Sequence, residues 1–135
     1  MDDFLTIANA NQRNAKPPLV RRLQAYAKGA SKDDFRDIQL DLGCLSVFQR
    51  RVSEKCRIIP FGTTLSYGQL AARAGSHRAY RAAGNCMAGN KIPIIIPCHR
   101  VVPSNRGLGS YSAPGGVRMK KRLLSIENPA LGKAF

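Results

Sequence analysis

At 135 residues, with 44% hydrophobic and 22% charged content, the chain is long enough for one compact domain, and it carries no run of about 18 apolar residues, which argues against a membrane span. Lys and Arg number 22 against 8 Asp and Glu, a net charge of +14. That balance points to a polyanion, most simply nucleic acid, the alternative being a basic chain kept in solution by its charge. The opening MDDFLTIANANQRNAK is acidic first and lacks the apolar core of an export signal, so the expected compartment is the cytoplasm (with the nucleoid, in a bacterium), where thiols stay reduced.

Residues 1–16 are Asn-rich and aperiodic and are expected to be poorly ordered. PPLVRRLQAYAKG predicts a helix entered through Pro17 and Pro18 and stopped at Gly29, with Leu19, Val20, Leu23, Tyr26 and Ala27 on one face. SKDDFRDIQLDLG reads as an extended connector. A second helix is predicted from an N-cap at Ser46, with Phe48, Val52, Cys56 and Ile59 inward, ended by Pro60. Two short helices follow, capped by Ser66 and Ser76 and stopped by Gly75 and Gly89, in the manner of a helix-turn-helix. The second carries Arg78 and Arg81 among small residues, which suits close approach to DNA or tight packing in a core. IPIIIP, residues 92–97, reads as a buried strand, and SNRGLGSYSAPGG as a loop able to wrap a site. GVRMKKRLLSIEN predicts a last helix with Val117, Leu123, Leu124 and Ile126 inward and Lys120, Lys121 and Arg122 mostly outward. The whole is mainly α with a short strand or hairpin element, divided into an N-terminal segment, 1–43, and a main domain, 44–135.

The cysteines are Cys44, Cys56, Cys86 and Cys98, without a CxxC pair, so no metal centre and no cofactor are expected. The first three lie in apolar or helical surroundings and read as small buried hydrophobes. Cys98 differs, because it sits in Pro97-Cys98-His99-Arg100 at the end of an apolar stretch. A neighbouring histidine can take the proton of a thiol and leave a thiolate nucleophile. The imidazolium so formed needs an acid partner. Glu127 is one of two acidic residues after Asp41, the other being Glu54; it is either that partner or a surface residue.

IPIIIPCHRVV closely resembles the active-site segment of the O6-alkylguanine-DNA alkyltransferases. FQRRVSEKCRIIPFGTTLSYGQLAARAG, AYRAAGN and GLGSYSAPGGVRMKKRLLSIEN resemble the family's helix and first helix-turn-helix element, its recognition helix, and its binding loop and last helix. The resemblance covers about residues 44–128, with PLVRRLQAYAKG similar to the linker helix before it. It implies a winged helix-turn-helix-like domain that transfers an alkyl group from O6-alkylguanine in double-stranded DNA to its own cysteine. Cys98 matches the acceptor, His99 the base acting through a water, Glu127 its acidic partner, and Tyr67 the proton donor to the departing guanine. Arg81 matches the residue that fills the gap left by the flipped base. Asn90 matches the tie between the helix-turn-helix and the active-site turn. Ser112, beside Tyr111, matches the loop hydroxyl at the guanine, and Arg100 is grouped with the residues that meet the DNA. A monomer working from the minor groove is implied. Lys91 stands where the family often has proline, Arg122 where it often has an aromatic, and the N-terminal region is shorter than is common. An alternative is the non-enzymatic alkylated-DNA sensor of the same lineage, which carries tryptophan at the acceptor position.

Overall fold

Helix α1 (Leu19–Ala27) follows Pro17–Pro18 in a computed structural model that describes residues 17–135; the start expected to be poorly ordered lies outside them. Its buried face is Leu19, Arg22 and Tyr26, whereas Val20 and Ala27 are exposed, contrary to expectation. Arg22 goes inward because the connector brings it two carboxylates: Nε lies 2.6 Å from Asp33 Oδ2 and Nη2 2.7 Å from Asp37 Oδ1. Phe35 and Ile38 of that connector are 1% exposed, and Arg57 clamps both of their carbonyls.

Helix α2 (Val47–Arg57) begins at the expected cap, with a full capping box between Ser46 and Gln49. A turn over 60–63, with Gly62 at φ +79°, leads to strand β1 (Leu65–Ser66). Ser66 then caps helix α3 (Tyr67–Arg73) in a second capping box with Gln69. Helix α4 (Tyr80–Ala88) starts later than predicted. Ser76 is not its cap but opens a turn in which Ala79 N–H donates to the Ser76 carbonyl.

IPIIIP is not a strand. Pro93 and Pro97 have no N–H to give a ladder, and Ile94 takes a left-handed φ of +75°, so the chain turns, with Ile96 N–H bonded to the Ile92 carbonyl. Ile92, Ile95 and Ile96 are nevertheless buried and draw that turn into the core. The ladder forms after it. A 3-10 turn (Cys98–Arg100) runs into β2 (Val101–Val102), which pairs in parallel with β1 in the register Leu65 to Val101 and Ser66 to Val102. Helix α5 (Gly116–Glu127) follows, then α6 (Pro129–Ala134), capped by Asn128.

On α5 the buried stripe is Lys120, Leu123, Leu124 and Glu127, at helical spacing. Val117 is 44% exposed and Ile126 only half-buried, so the expected inward set holds for the two leucines alone. Lys120, expected outward, is wholly buried; Lys121 and Arg122 do face out. Cys56 is buried and Cys86 half-buried, but Cys44 is exposed rather than packed. One apolar core joins Leu19, Tyr26, Phe35 and Ile38 to Val52, Leu70, Ala83, Ile95 and Leu123, so the residues before 44 share their core with those after it.

Candidate active site around Cys98

The two-residue ladder sets the site. Ser66 ends β1 and caps α3, so Tyr67, the first residue of that helix, is held beside the strand into which the Cys98 turn runs. Tyr67 and Cys98 line one cleft with Gly84, Met87 and Ala88 of α4 and Ser110, Tyr111 and Ser112 of the loop. The cleft is shallow and partly open to solvent. A side chain at Gly84 would meet the Tyr67 ring 3.8 Å away, and one at Gly109 (φ +71°) would press on Pro103 at 2.9 Å and approach the Tyr67 hydroxyl at 3.5 Å. The approaches to Tyr67 are ordinary contact distances; the clash that a side chain would meet is the one between Gly109 and Pro103.

Cys98 is 6% exposed. Burial pushes its thiol up, while the Asn90 amide, the charge of Lys120 and nearby backbone N–H groups oppose the rise. Asn90 Nδ2 donates to Cys98 Sγ at 3.1 Å and to the Ile96 carbonyl at 2.9 Å, and Asn90 Oδ1 accepts from Ile92 N–H. One amide therefore closes the turn onto the sulfur. Lys120 Nζ donates to the Val101 carbonyl at 2.8 Å and the Ser110 carbonyl at 3.2 Å, tying β2 to the loop, and lies 5.9 Å from the Tyr67 ring centroid. Burial lowers its pKa to about 8. Burial also raises the hydroxyls of Tyr67 and Tyr111, with the thiol charge adding to it, so both stay protonated donors at neutral pH.

Behind the sulfur, His99 is wholly buried. Its Nε2 is 2.6 Å from Glu127 Oε2, and its Nδ1 has no hydrogen-bond partner among the described residues. Burial lowers the His99 pKa, and the Glu127 carboxylate only partly offsets this, so the resting ring is neutral. With a carboxylate against Nε2 the proton belongs there, which leaves the Nδ1 lone pair free to accept one. Burial alone would raise the Glu127 carboxyl. Hydrogen bonds from His99 and Arg100, with the Arg100 charge, outweigh that and hold it far below the usual carboxylate range.

Arg100, grouped from the sequence with the DNA contacts, does not reach the surface. It is 2% exposed, with Nε 2.8 Å from Glu127 Oε1, Nη2 2.9 Å from Oε2 and Nη1 2.8 Å from the Ile59 carbonyl. Arg81 is exposed on the first turn of α4, its guanidinium 5.8 Å from the Tyr80 ring, and it does not line the cleft. Two residues of the network were missed in the sequence. Tyr26 Oη donates to Glu127 Oε2 at 2.5 Å, and Gly62 N–H donates to Oε1 at 3.0 Å. Tyr26 carried a signal, since a tyrosine on an apolar helix face needs a partner for its hydroxyl. The burial of Lys120 and Glu127 was also legible, because both fall on the stripe of Leu123 and Leu124.

The cleft therefore offers a thiol, a buried proton acceptor behind it and two phenol donors in front. Residues 47–129 match the family model described as 6-O-methylguanine DNA methyltransferase, DNA binding domain. A methylated-DNA–protein-cysteine methyltransferase of Methanothermobacter thermautotrophicus is 44% identical over 98 residues, which cover 73% of this chain and 53% of that protein. The human protein of the same name is 49% identical over 87 residues, covering 64% and 41%. The chain thus spans about half the length of these curated relatives. A crystal structure of Mycobacterium tuberculosis OGT in complex with DNA superposes with a TM-score of 0.74 at 38% identity, covering 86% of this chain and 67% of that one. With α2 to α5, the short parallel ladder and the Cys98 turn in the matched span, the chain belongs to the family of the 6-O-methylguanine DNA methyltransferase DNA-binding domain.

Proposed function

We propose that the chain repairs double-stranded DNA by taking the alkyl group of O6-alkylguanine onto Cys98 Sγ, once and irreversibly. The supporting observation is the gathering of Cys98, Tyr67, Tyr111 and Ser112 on one cleft, with the buried, Glu127-paired His99 as the next residue in the chain after Cys98. The thiol proton passes through a water to His99 Nδ1, and the imidazolium is held by Glu127. The thiolate attacks the alkyl carbon in line with the C–O6 bond; the S–C bond forms as C–O6 breaks, and the electron pair stays on the guanine. Tyr67 gives that guanine a proton and regains one as the His99 imidazolium gives up the thiol proton through water, while Ser112 and Tyr111 hold the base. Over the whole reaction the sulfur exchanges its hydrogen for the alkyl group.

The target atom lies inside a stacked duplex, so the nucleotide has to be extruded. The chain works as a monomer from the minor groove, where the small residues of α4 allow close approach and Arg81 takes up the vacated space. The thioether does not reverse, so each molecule acts once. Incubation with a duplex carrying O6-methylguanine is expected to add one methyl mass to the intact protein, mapped to Cys98 and absent from Cys44, Cys56 and Cys86. Cys98→Ala is expected to keep DNA binding and gain nothing. Turnover with unmodified protein would exclude the reading, and tight lesion binding without a mass gain would move the chain to the sensor class.

A further inference from the structure

Among the polar groups that touch the His99–Glu127 pair without a part in the transfer is the hydroxyl of Tyr26. It comes from α1, 101 residues before Glu127 and outside the span matched by the family model. The ring packs edge-on against Phe35 and Phe61, a role that phenylalanine would fill as well. The hydroxyl is placed otherwise, 2.5 Å from Glu127 Oε2 and 3.3 Å from His99 Nε2.

The donors can be assigned. Glu127 is ionised and only accepts, so Tyr26 spends its one proton on Oε2 and turns only lone pairs toward Nε2. His99 has one proton on Nε2, and 2.6 Å to the carboxylate against 3.3 Å to the phenol decides that it goes to Glu127. Oε2 thus takes bonds from Tyr26, His99 and Arg100 at once. A donor that stabilises a carboxylate reduces the pull of that carboxylate on its other partners.

We propose that Tyr26 is a positioning residue of this relay: by sharing Glu127 Oε2 with His99, its hydroxyl restrains the basicity of His99 and with it the ionisation of Cys98. The inference rests on Cys98 as the acceptor. Restraint suits a protein spent by one transfer, because a permanently ionised sulfur would be consumed by any electrophile. The other groups facing the relay are Arg100 on Glu127, Lys120 near both His99 and Cys98, Asn90 on Sγ, Tyr67 and Tyr111 across the cleft, and the Cys56 thiol. Tyr26→Phe changes none of them.

The test is the pH profile of Cys98 alkylation by iodoacetamide, followed by peptide mapping, for the whole chain and for Tyr26→Phe. The midpoint is expected to move to lower pH, with alkylation below it faster by roughly threefold to tenfold, tenfold corresponding to one pKa unit. An unmoved midpoint, with or without a lower melting temperature, would reduce Tyr26 to packing, and a midpoint moved upward would show that it supports the base; either overturns the proposal. Tyr26→Met, which fills the space without a donor, serves if the phenylalanine variant does not fold. Transfer from methylated duplex is measured on the unaltered chain in parallel. Its absence would remove the proposed function, whereas the iodoacetamide midpoint judges Tyr26 by itself.

Discussion

Five donors converge on the Glu127 carboxylate: the Tyr26 hydroxyl, His99 Nε2, Arg100 Nε and Nη2, and Gly62 N–H. Such a carboxylate is structural as well as chemical, since it is the counter-charge of the buried Arg100. Glu127→Gln would leave the guanidinium buried without its counter-charge and is expected to cost about 3–5 kcal/mol in urea unfolding. The folded carboxyl titrates below its unfolded value, so its contribution is full above the ordinary carboxylate range and fades as pH falls through and below it. The variant should therefore lose less stability than the unaltered chain on acidification from pH 6. With less charge to hold the imidazolium, Cys98 alkylation by iodoacetamide should slow at neutral pH, opposite in sign to Tyr26→Phe. An unchanged pH profile would take Glu127 out of the relay.

At the scale of elements, two residues of parallel ladder carry much of the positioning. β1 leads into the cap of α3 and β2 leaves the Cys98 turn, so their pairing registers Tyr67 against the sulfur. Helix α4 closes one wall of the cleft with Gly84, Met87 and Ala88 and leaves Arg81 in solvent. If Arg81 fills the space of an extruded base, Arg81→Ala should slow transfer from duplex by tenfold or more, on the order of the few kcal/mol that unstacking costs, and leave reaction with free O6-benzylguanine nearly unchanged. Equal loss on both substrates would assign Arg81 to the fold or the cleft.

For the whole molecule the informative quantity is charge. The net +14 on 135 residues already counts the acids that pair Arg22 and Arg100, and Arg78, Arg81, Lys91, Arg106, Arg118, Lys121 and Arg122 are all exposed. Binding to unmodified duplex should weaken linearly on a log–log plot against salt, with a slope of about −0.9 per phosphate neutralised. A flat response between low and moderate salt would mean that these cations lie on faces that never meet DNA.

The local signals in the sequence were reliable where a short-range interaction decides. Ser46 and Ser66 cap their helices because Gln49 and Gln69 complete each box within one turn, and Pro60 and Gly75 end elements by their own backbone limits. The Pro-Cys-His-Arg segment singled out Cys98, and the structure sets that residue on one cleft with Tyr67, Tyr111 and Ser112. Long-range pairing decided the rest. Ser76 loses its cap to a turn, and IPIIIP turns because its prolines cannot join a ladder, while Val101 and Val102 find a partner some 36 residues away. Lys120 and Arg22 are buried because backbone carbonyls and the Asp33–Asp37 pair meet them inside, and Arg100 turns inward to Glu127 instead of outward to DNA. A cation reads as surface in sequence, and only the tertiary structure brings the distant acceptors that let it be buried.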